Sequence, residues 1–317
     1  MKIPIEAMIS KIRAGDRRTI GKAMSLIEND SGKTPELMNR LHTYSSNTYR
    51  IGITGPPGAG KSTLTSGIIR ELRDQGEKIG VIAVDPTSPF TGGAVLGDRI
   101  RMMEFSADPD VFIRSMASRG SLGGLSRKAQ ELGDLLDASG KNYVIYETVG
   151  VGQTELDIAD NADTIVVVLV PESGDAIQIM KAGLMEIADI FVVNKSDREG
   201  ASKLKLELES MLQFRPISDK KWEIPILSTV GTKSEGISKL IEKIKAHKAF
   251  LEDNNLLVEK RTKRMNKKIN EILQDHLLAV FWTSKKRELF EKKLPQIVNH
   301  KLSPYEMVKL LLNLVEK

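Results

Sequence analysis

Residues 55–62 read Gly-Pro-Pro-Gly-Ala-Gly-Lys-Ser, between a β-branched segment, Arg50 to Thr54, and a helix-forming segment, Lys61 to Gln75, that stops at Gly76. No other feature constrains the fold as tightly. A G-x-x-x-x-G-K-S run converges backbone NH groups on an anion, and the helix that follows points its positive end at the same place. It needs a buried strand feeding straight into a helix, which predicts an α/β nucleotide-binding fold. Gly55, Gly58, Ala59, Gly60 and Thr63 would then surround the phosphates. Lys61 would reach the β- and γ-phosphates as the catalytic cation, and the Ser62 hydroxyl would ligate Mg2+.

The remainder of the chain supplies the matching pattern. Short apolar runs recur at Ile79 to Val84, Val111 to Ser115, Tyr143 to Tyr146, Thr164 to Val170, Ile190 to Val193 and Ile224 to Leu227. Helical stretches separate most of them, including Leu125 to Ala138, which ends at Gly140, and Ala176 to Ala188. Strands apolar on both faces that alternate with helices predict a largely parallel sheet covered on both sides, with ligands at the carboxyl ends of its strands. We divide the chain into a helical arm over 1–48, a nucleotide domain over 49–255 and a helical region over 256–317.

In the arm, Ile5, Met8, Ile9 and Ile12 share one stripe, and Ile20, Met24 and Ile27 share another after an Asp16 N-cap. In the last region, Ser303-Pro304-Tyr305-Glu306 is a capping box with Pro at the first helical position. The stripe that follows, Met307, Leu310, Leu311 and Leu314, is widened by Val308, Leu312 and Val315. That is more than a surface helix needs, and it predicts cover from a second copy of the chain.

Asn194-Lys195-Ser196-Asp197 follows the Ile190 to Val193 run, at a strand's carboxyl end. A carboxylate at Asp197 can accept from both the ring NH and the exocyclic amine of guanine, a donor pair that adenine lacks. Asn194, Lys195 and Asp197, with Ser228 and Thr229 at the end of a later strand, form the expected base site for GTP and GDP. Asp85, Asp98 and Glu147 lie where Mg2+ and water must be managed, and hard carboxylate oxygens suit that ion. Glu147 to Gln153 reads as a switch loop: the Gly150 NH would sense the γ-phosphate and Gln153 would position the attacking water. Thr87 to Gly97, rich in Gly, is a second such segment.

Other classes lose ground on composition. The chain has no cysteine, which excludes disulfides, thiolate metal sites and cysteine nucleophiles. His42, His247, His276 and His300 form no cluster and read as surface or helix residues. Residues 256–317 carry 14 Lys or Arg against 7 Asp or Glu, within a whole-chain net charge of +5. Scattered along amphipathic helices and without interleaved aromatics, these charges read as solvated faces, so no nucleic acid is expected. The longest apolar run, Ile165 to Val170, is too short to span a membrane, and no targeting segment is evident at the start; the expected location is cytoplasmic.

Asp85-Pro86-Thr87-Ser88, Thr91 to Arg99, Glu147 to Gln153 and Asn194 to Asp197 together resemble the MeaB/ArgK family of P-loop GTPases, as do Ala14 to Arg18 and Leu302-Ser303-Pro304. The resemblance runs over nearly the whole chain. It implies a homodimeric, metallochaperone-like GTPase that assists an adenosylcobalamin-dependent acyl-CoA mutase, typically methylmalonyl-CoA mutase, in loading, protecting or reactivating its cofactor. It also places Asp85, Asp98 and Glu147 among the family's magnesium-site acids, and Asp175 and Lys181 in its third switch loop, where Glu172-Ser173 departs from smaller, more Gly-rich relatives. Two alternatives remain: a nickel-insertion GTPase, which would want Cys or His ligands near the switch, and a protein-targeting GTPase, which would want a Met-rich basic domain.

Overall fold

The computed structural model describes residues 4–29, 31–45, 48–86, 103–118, 124–148, 158–173, 183–213 and 222–314. Helices α1 (Ile5–Arg13), α2 (Arg17–Glu28) and α3 (Thr34–His42) open the chain. Then come β1 (Tyr49–Thr54), α4 (Lys61–Asp74), β2 (Ile79–Pro86), β3 (Val111–Ser118), α5 (Gly124–Ala138), β4 (Tyr143–Thr148) and β5 (Thr164–Leu169). A single turn α6 (Leu184–Ile187), β6 (Ile190–Asn194), α7 (Ala201–Leu212), β7 (Ile226–Thr229) and α8 (Ile237–Asp253) follow, before α9 (Leu256–Phe281), α10 (Ser284–Val298) and α11 (Pro304–Asn313).

The strands form one seven-stranded sheet in the order β3-β2-β4-β1-β5-β6-β7, and every pairing is parallel. All residues of β1, β4, β5 and β6 are buried, as a sheet with helices on both faces requires. The alternation along β5 is explicit. Val166 and Val168 pack with α4 and α8 on one face, while Ile165, Val167 and Leu169 pack with α6 and α7 on the other. The rest of that second face, over β2, β3 and β4, is covered by α5 together with α1–α3, whose Ile12, Ile20, Met24, Ile27 and Leu37 are fully buried there.

Local chemistry sets the element ends. Asp16 caps α2, its side chain accepting from the Thr19 NH at 2.8 Å. Arg17 then donates to the Asp108 carbonyl, in the turn before β3, and Glu28 at the far end of α2 ion-pairs with Arg114 of β3, so this helix is fastened at one end to that turn and at the other to the edge strand. Several strand ends differ from the sequence reading: β1 begins at Tyr49, β4 runs on to Thr148 and β6 to Asn194, and β5 stops at Leu169. β7 starts at Ile226 because Pro225 has no NH for the ladder, its carbonyl accepting instead from Phe191 at 2.9 Å. β2 and β3 run on to Pro86 and Ser118. The helix expected over Ala176 to Ala188 is not continuous: Gly183 has φ +69, and only Leu184–Ile187 is helical among its described residues.

The chain divides into two compact units, Met1–Thr262 and Lys263–Lys317. In the second, Thr283 caps α10, and the Ser303–Glu306 capping box closes reciprocally, at 3.1 Å from the Glu306 NH to the Ser303 hydroxyl and 2.9 Å from the Ser303 NH to the Glu306 carboxylate. On α11 the buried residues are Met307 and Leu311, spaced one turn apart, whereas Leu310 is exposed, so the buried stripe is narrower than the pattern suggests. Val315 lies outside the described residues.

Candidate functional site

The loop between β1 and α4 is built from backbone conformations that exclude side chains. Gly55 has φ +140, and a Cβ there would sit 2.0 Å from the Val168 carbonyl oxygen of β5. Gly60, the residue before α4, has φ +86, and a Cβ would meet the Asn194 amide nitrogen at 2.4 Å. The loop therefore lies against both β5 and the end of β6.

Lys61 and Ser62, the first residues of α4, are both buried. The Lys61 ammonium donates to the carbonyls of Gly55 at 2.7 Å and Pro56 at 2.9 Å, which fixes it on the concave side of the loop. The Ser62 hydroxyl donates to Glu147 Oε1 at 2.6 Å. Glu147 is 2% exposed and lies within β4, paired in register with Ile53 of β1, two residues before Gly55. A buried carboxylate held on a hydroxyl at the positive end of a helix is a hard-oxygen pair of the kind that suits Mg2+, which takes few protein ligands and keeps several waters.

Asn194 connects three segments. Its amide donates to the Ala59 carbonyl at 2.8 Å, and its Oδ1 accepts from the Thr229 hydroxyl at 3.0 Å and the Gly231 NH at 3.1 Å. A side chain that is 2% exposed and so bonded fixes the phosphate loop against the end of β7. The Ser196 NH donates to the Thr229 carbonyl at 3.0 Å, tightening the same junction. Lys195 adopts φ +55, and the turn it makes leaves the Asp197 carboxylate exposed, 3.9 Å from the Lys233 ammonium. Next to it, Arg198 ion-pairs with Glu172, whose carboxyl is held below its ordinary range by hydrogen bonding to that guanidinium.

Of the residues singled out in the sequence, Gly55, Gly58, Ala59, Gly60, Glu147, Asn194, Lys195, Asp197 and Thr229 lie at the carboxyl ends of β1, β4, β6 and β7 or in the loops that leave them, and Lys61, Ser62 and Thr63 open α4 beside them. Ser228 is exposed, since alternate residues of a strand face opposite ways and Thr229 takes the inward position. Asp85 belongs to β2, paired in register with Ala117, and its side chain lies outside the described residues. Asp98, Gly150 and Gln153 lie outside them altogether, as do Asp175 and Lys181. Four neighbouring residues had no sequence signal: Gly231 and Lys233 beside the base turn, and Thr54 and Thr148, whose hydroxyls pair at 3.0 Å beneath the loop.

His247 departs from the surface reading. It is on α8, as a helix residue, but is 1% exposed at the opposite pole of the sheet. There its Nδ1 pairs with the Thr164 hydroxyl at 2.8 Å, its Nε2 lies 3.4 Å from Asp189, and Trp222 packs on its ring.

A phosphate loop at the head of a parallel sheet, with a guanine-type Asn-Lys-x-Asp turn bonded to it, defines a P-loop GTPase. The family model described as "Methylmalonyl Co-A mutase-associated GTPase MeaB" matches residues 20–286, and the chain belongs to that family. A putative GTPase of Pyrococcus horikoshii is 49% identical over 311 residues, 98% of each chain. GTPase ArgK of Escherichia coli is 34% identical over 307 residues, covering 93% of this chain and 92% of that one. The mouse mitochondrial methylmalonic aciduria type A homolog is 30% identical over 326 residues, covering 97% and 79%. Among solved structures, a LAO/AO transport system kinase superposes with a TM-score of 0.70 at 28% identity over 98% of both chains. The chain is thus a guanine-nucleotide-binding enzyme that hydrolyses GTP. Among the described residues, no helix is long and apolar enough to cross a membrane.

Proposed function

We propose that this GTPase is a nucleotide-driven switch that assists an adenosylcobalamin-dependent acyl-CoA mutase, of the methylmalonyl-CoA mutase type, in cofactor loading, protection or reactivation. The observation that carries the switch reading is the 2.6 Å contact of Ser62 with Glu147, because Glu147 is the last acidic residue before the Gly-rich segment Val149 to Gln153. A metal held on these two oxygens would report directly to that segment. The partner comes from the family, whose name associates it with that mutase.

In this reading Ser62 and Glu147 hold Mg2+, with Asp85 and Asp98 as further acids of the site; the ion neutralises phosphate charge when bound. Lys61 places its ammonium on the β- and γ-phosphates, Asp197 reads guanine, Gly150 senses the γ-phosphate and Gln153 orients water. Residues 256–317 supply the homodimer contact. They expose Leu273, Leu277, Leu278, Val280, Val308 and Leu312, more apolar surface than so small a unit leaves to solvent when alone, and a second copy would cover it.

The experiment mixes the purified protein with candidate adenosylcobalamin-dependent mutases and follows GTP turnover and cofactor transfer. Nucleotide-dependent binding, with faster hydrolysis in the complex, is expected; by linkage the mutase must alter nucleotide affinity by the factor that nucleotide alters mutase affinity. Absence of binding in every nucleotide state would remove the mutase from the proposal and leave the GTPase.

A further inference from the structure

Thr54 and Thr148 end adjacent parallel strands, β1 and β4, and both are buried, at 0% and 1% exposure. The pairing Ile53↔Glu147 puts them side by side one step further on, and the Thr148 hydroxyl donates to the Thr54 hydroxyl at 3.0 Å. Each is the immediate neighbour of a functional residue. Thr54 precedes Gly55, where the phosphate loop begins, and Thr148 follows Glu147.

Successive side chains of a strand point to opposite faces. Glu147 therefore projects toward α4 and Ser62, while Thr148 projects to the face covered by α5. The two hydrogen bonds act on opposite sides of one strand end: Ser62 holds Glu147 from one face and Thr54 holds Thr148 from the other. A strand end gripped on both faces cannot roll about its own axis, and rolling is the motion that would swing the Glu147 carboxylate away from the head of α4. The ladders to β1 and β2 restrain the β4 backbone, but the pairing with β1 ends at Ile53 and Glu147; beyond that rung the Thr148 hydroxyl adds a directional tie to β1, since a hydrogen bond weakens steeply off its axis.

We infer that Thr148, acting through its hydrogen bond to Thr54, is a positioning residue that sets the Glu147 carboxylate for Mg2+ and so couples metal binding to nucleotide binding. The inference rests on Ser62 and Glu147 as the metal site. Its consequence is specific to the metal. The contacts that hold the loop without Mg2+, Lys61 on the Gly55 and Pro56 carbonyls and Asn194 on Ala59, include neither threonine hydroxyl; with Mg2+, a misaligned carboxylate gives up part of the extra nucleotide affinity that the ion confers.

The test measures equilibrium affinity for a fluorescent GDP analogue, with saturating Mg2+ and with chelator, for the full-length protein and for Thr148→Val, Thr148→Ser, the Thr54→Val/Thr148→Val double variant and Glu147→Gln. Thr148→Val is expected to lower the ratio of the two affinities about fivefold, the scale of one net hydrogen bond, with the chelator value unchanged. Thr148→Ser keeps the hydroxyl and should restore the ratio. In the double variant both polar atoms are gone, so the melting temperature should return to near that of the unaltered protein while the ratio stays low. A normal ratio in Thr148→Val or in the double variant overturns the inference. A Glu147→Gln variant with a normal ratio instead overturns the metal site on which it rests.

Discussion

The two poles of the sheet are both polar, buried and densely hydrogen-bonded, yet they are built for opposite ends. At the carboxyl pole the charged groups rest on contacts that a ligand can replace: Lys61 on two loop carbonyls, Ser62 on Glu147. At the amino pole the groups serve one another. Tyr49, Thr164 and His247 form a chain of hydrogen bonds, Asp189 accepts from the Ile165 NH at 2.9 Å and from Lys260 at 3.2 Å, and Arg261 reaches Asp163 at 3.2 Å. Burial and polarity alone do not distinguish a site from a strut. What differs is the backbone, since the carboxyl pole carries Gly55 and Gly60 in conformations that hold open a concave loop.

The sharpest way to break this contrast is Lys61→Ala. Turnover of GTP should fall roughly 100-fold or more, the scale of removing a preorganised charge from a transition state, while the melting temperature stays near that of the unaltered protein. A large fall in stability with modest loss of turnover would make Lys61 a strut like those at the other pole.

Asp197→Asn exchanges an acceptor for a donor at the exposed turn. Affinity for GTP should drop roughly 10- to 100-fold and xanthosine triphosphate should become the better ligand, read by calorimetry. Tight ATP binding by the unaltered protein would refute the guanine assignment.

Asp189→Ala tests the amino pole. Losing the acceptor of Lys260 and of the Ile165 NH should cost about 2 kcal/mol in denaturant unfolding, with GDP affinity within about twofold of normal. Loss of nucleotide affinity as large as the loss of stability would show that the poles are not separate.

The smallest effect concerns acid. Burial holds His247 down to about 4, with Lys260 adding to the fall and the attraction of Asp189 and Asp163 opposing it. The unfolded chain, titrating near the ordinary value of 6.5, therefore takes up the proton first. The contribution is whole above that value and is lost as pH falls toward about 4, amounting to about 1 kcal/mol between about pH 7 and about pH 5.5. His247→Gln should flatten that part of the stability profile; an unchanged slope would assign the acid sensitivity to the carboxylates.

Much of this protein is determined by the sequence alone. The alternation of β-branched runs with helical stretches specifies a parallel sheet, and Gly55 to Ser62 and Asn194 to Asp197 specify what its carboxyl pole binds, because strand, loop and helix are local products of residue type and period. Asp16 and Ser303 announce their helix caps for the same reason. Tertiary structure alone decides the contacts between residues far apart in the chain. It makes Asn194 a clamp on Ala59, 135 residues away, brings Thr148 to Thr54 across 94, and buries His247 on Thr164 across 83. No period links such pairs. Parallel strand order sets them, and a threonine at a strand end has the same local pattern whether its hydroxyl faces water or a partner on the next strand.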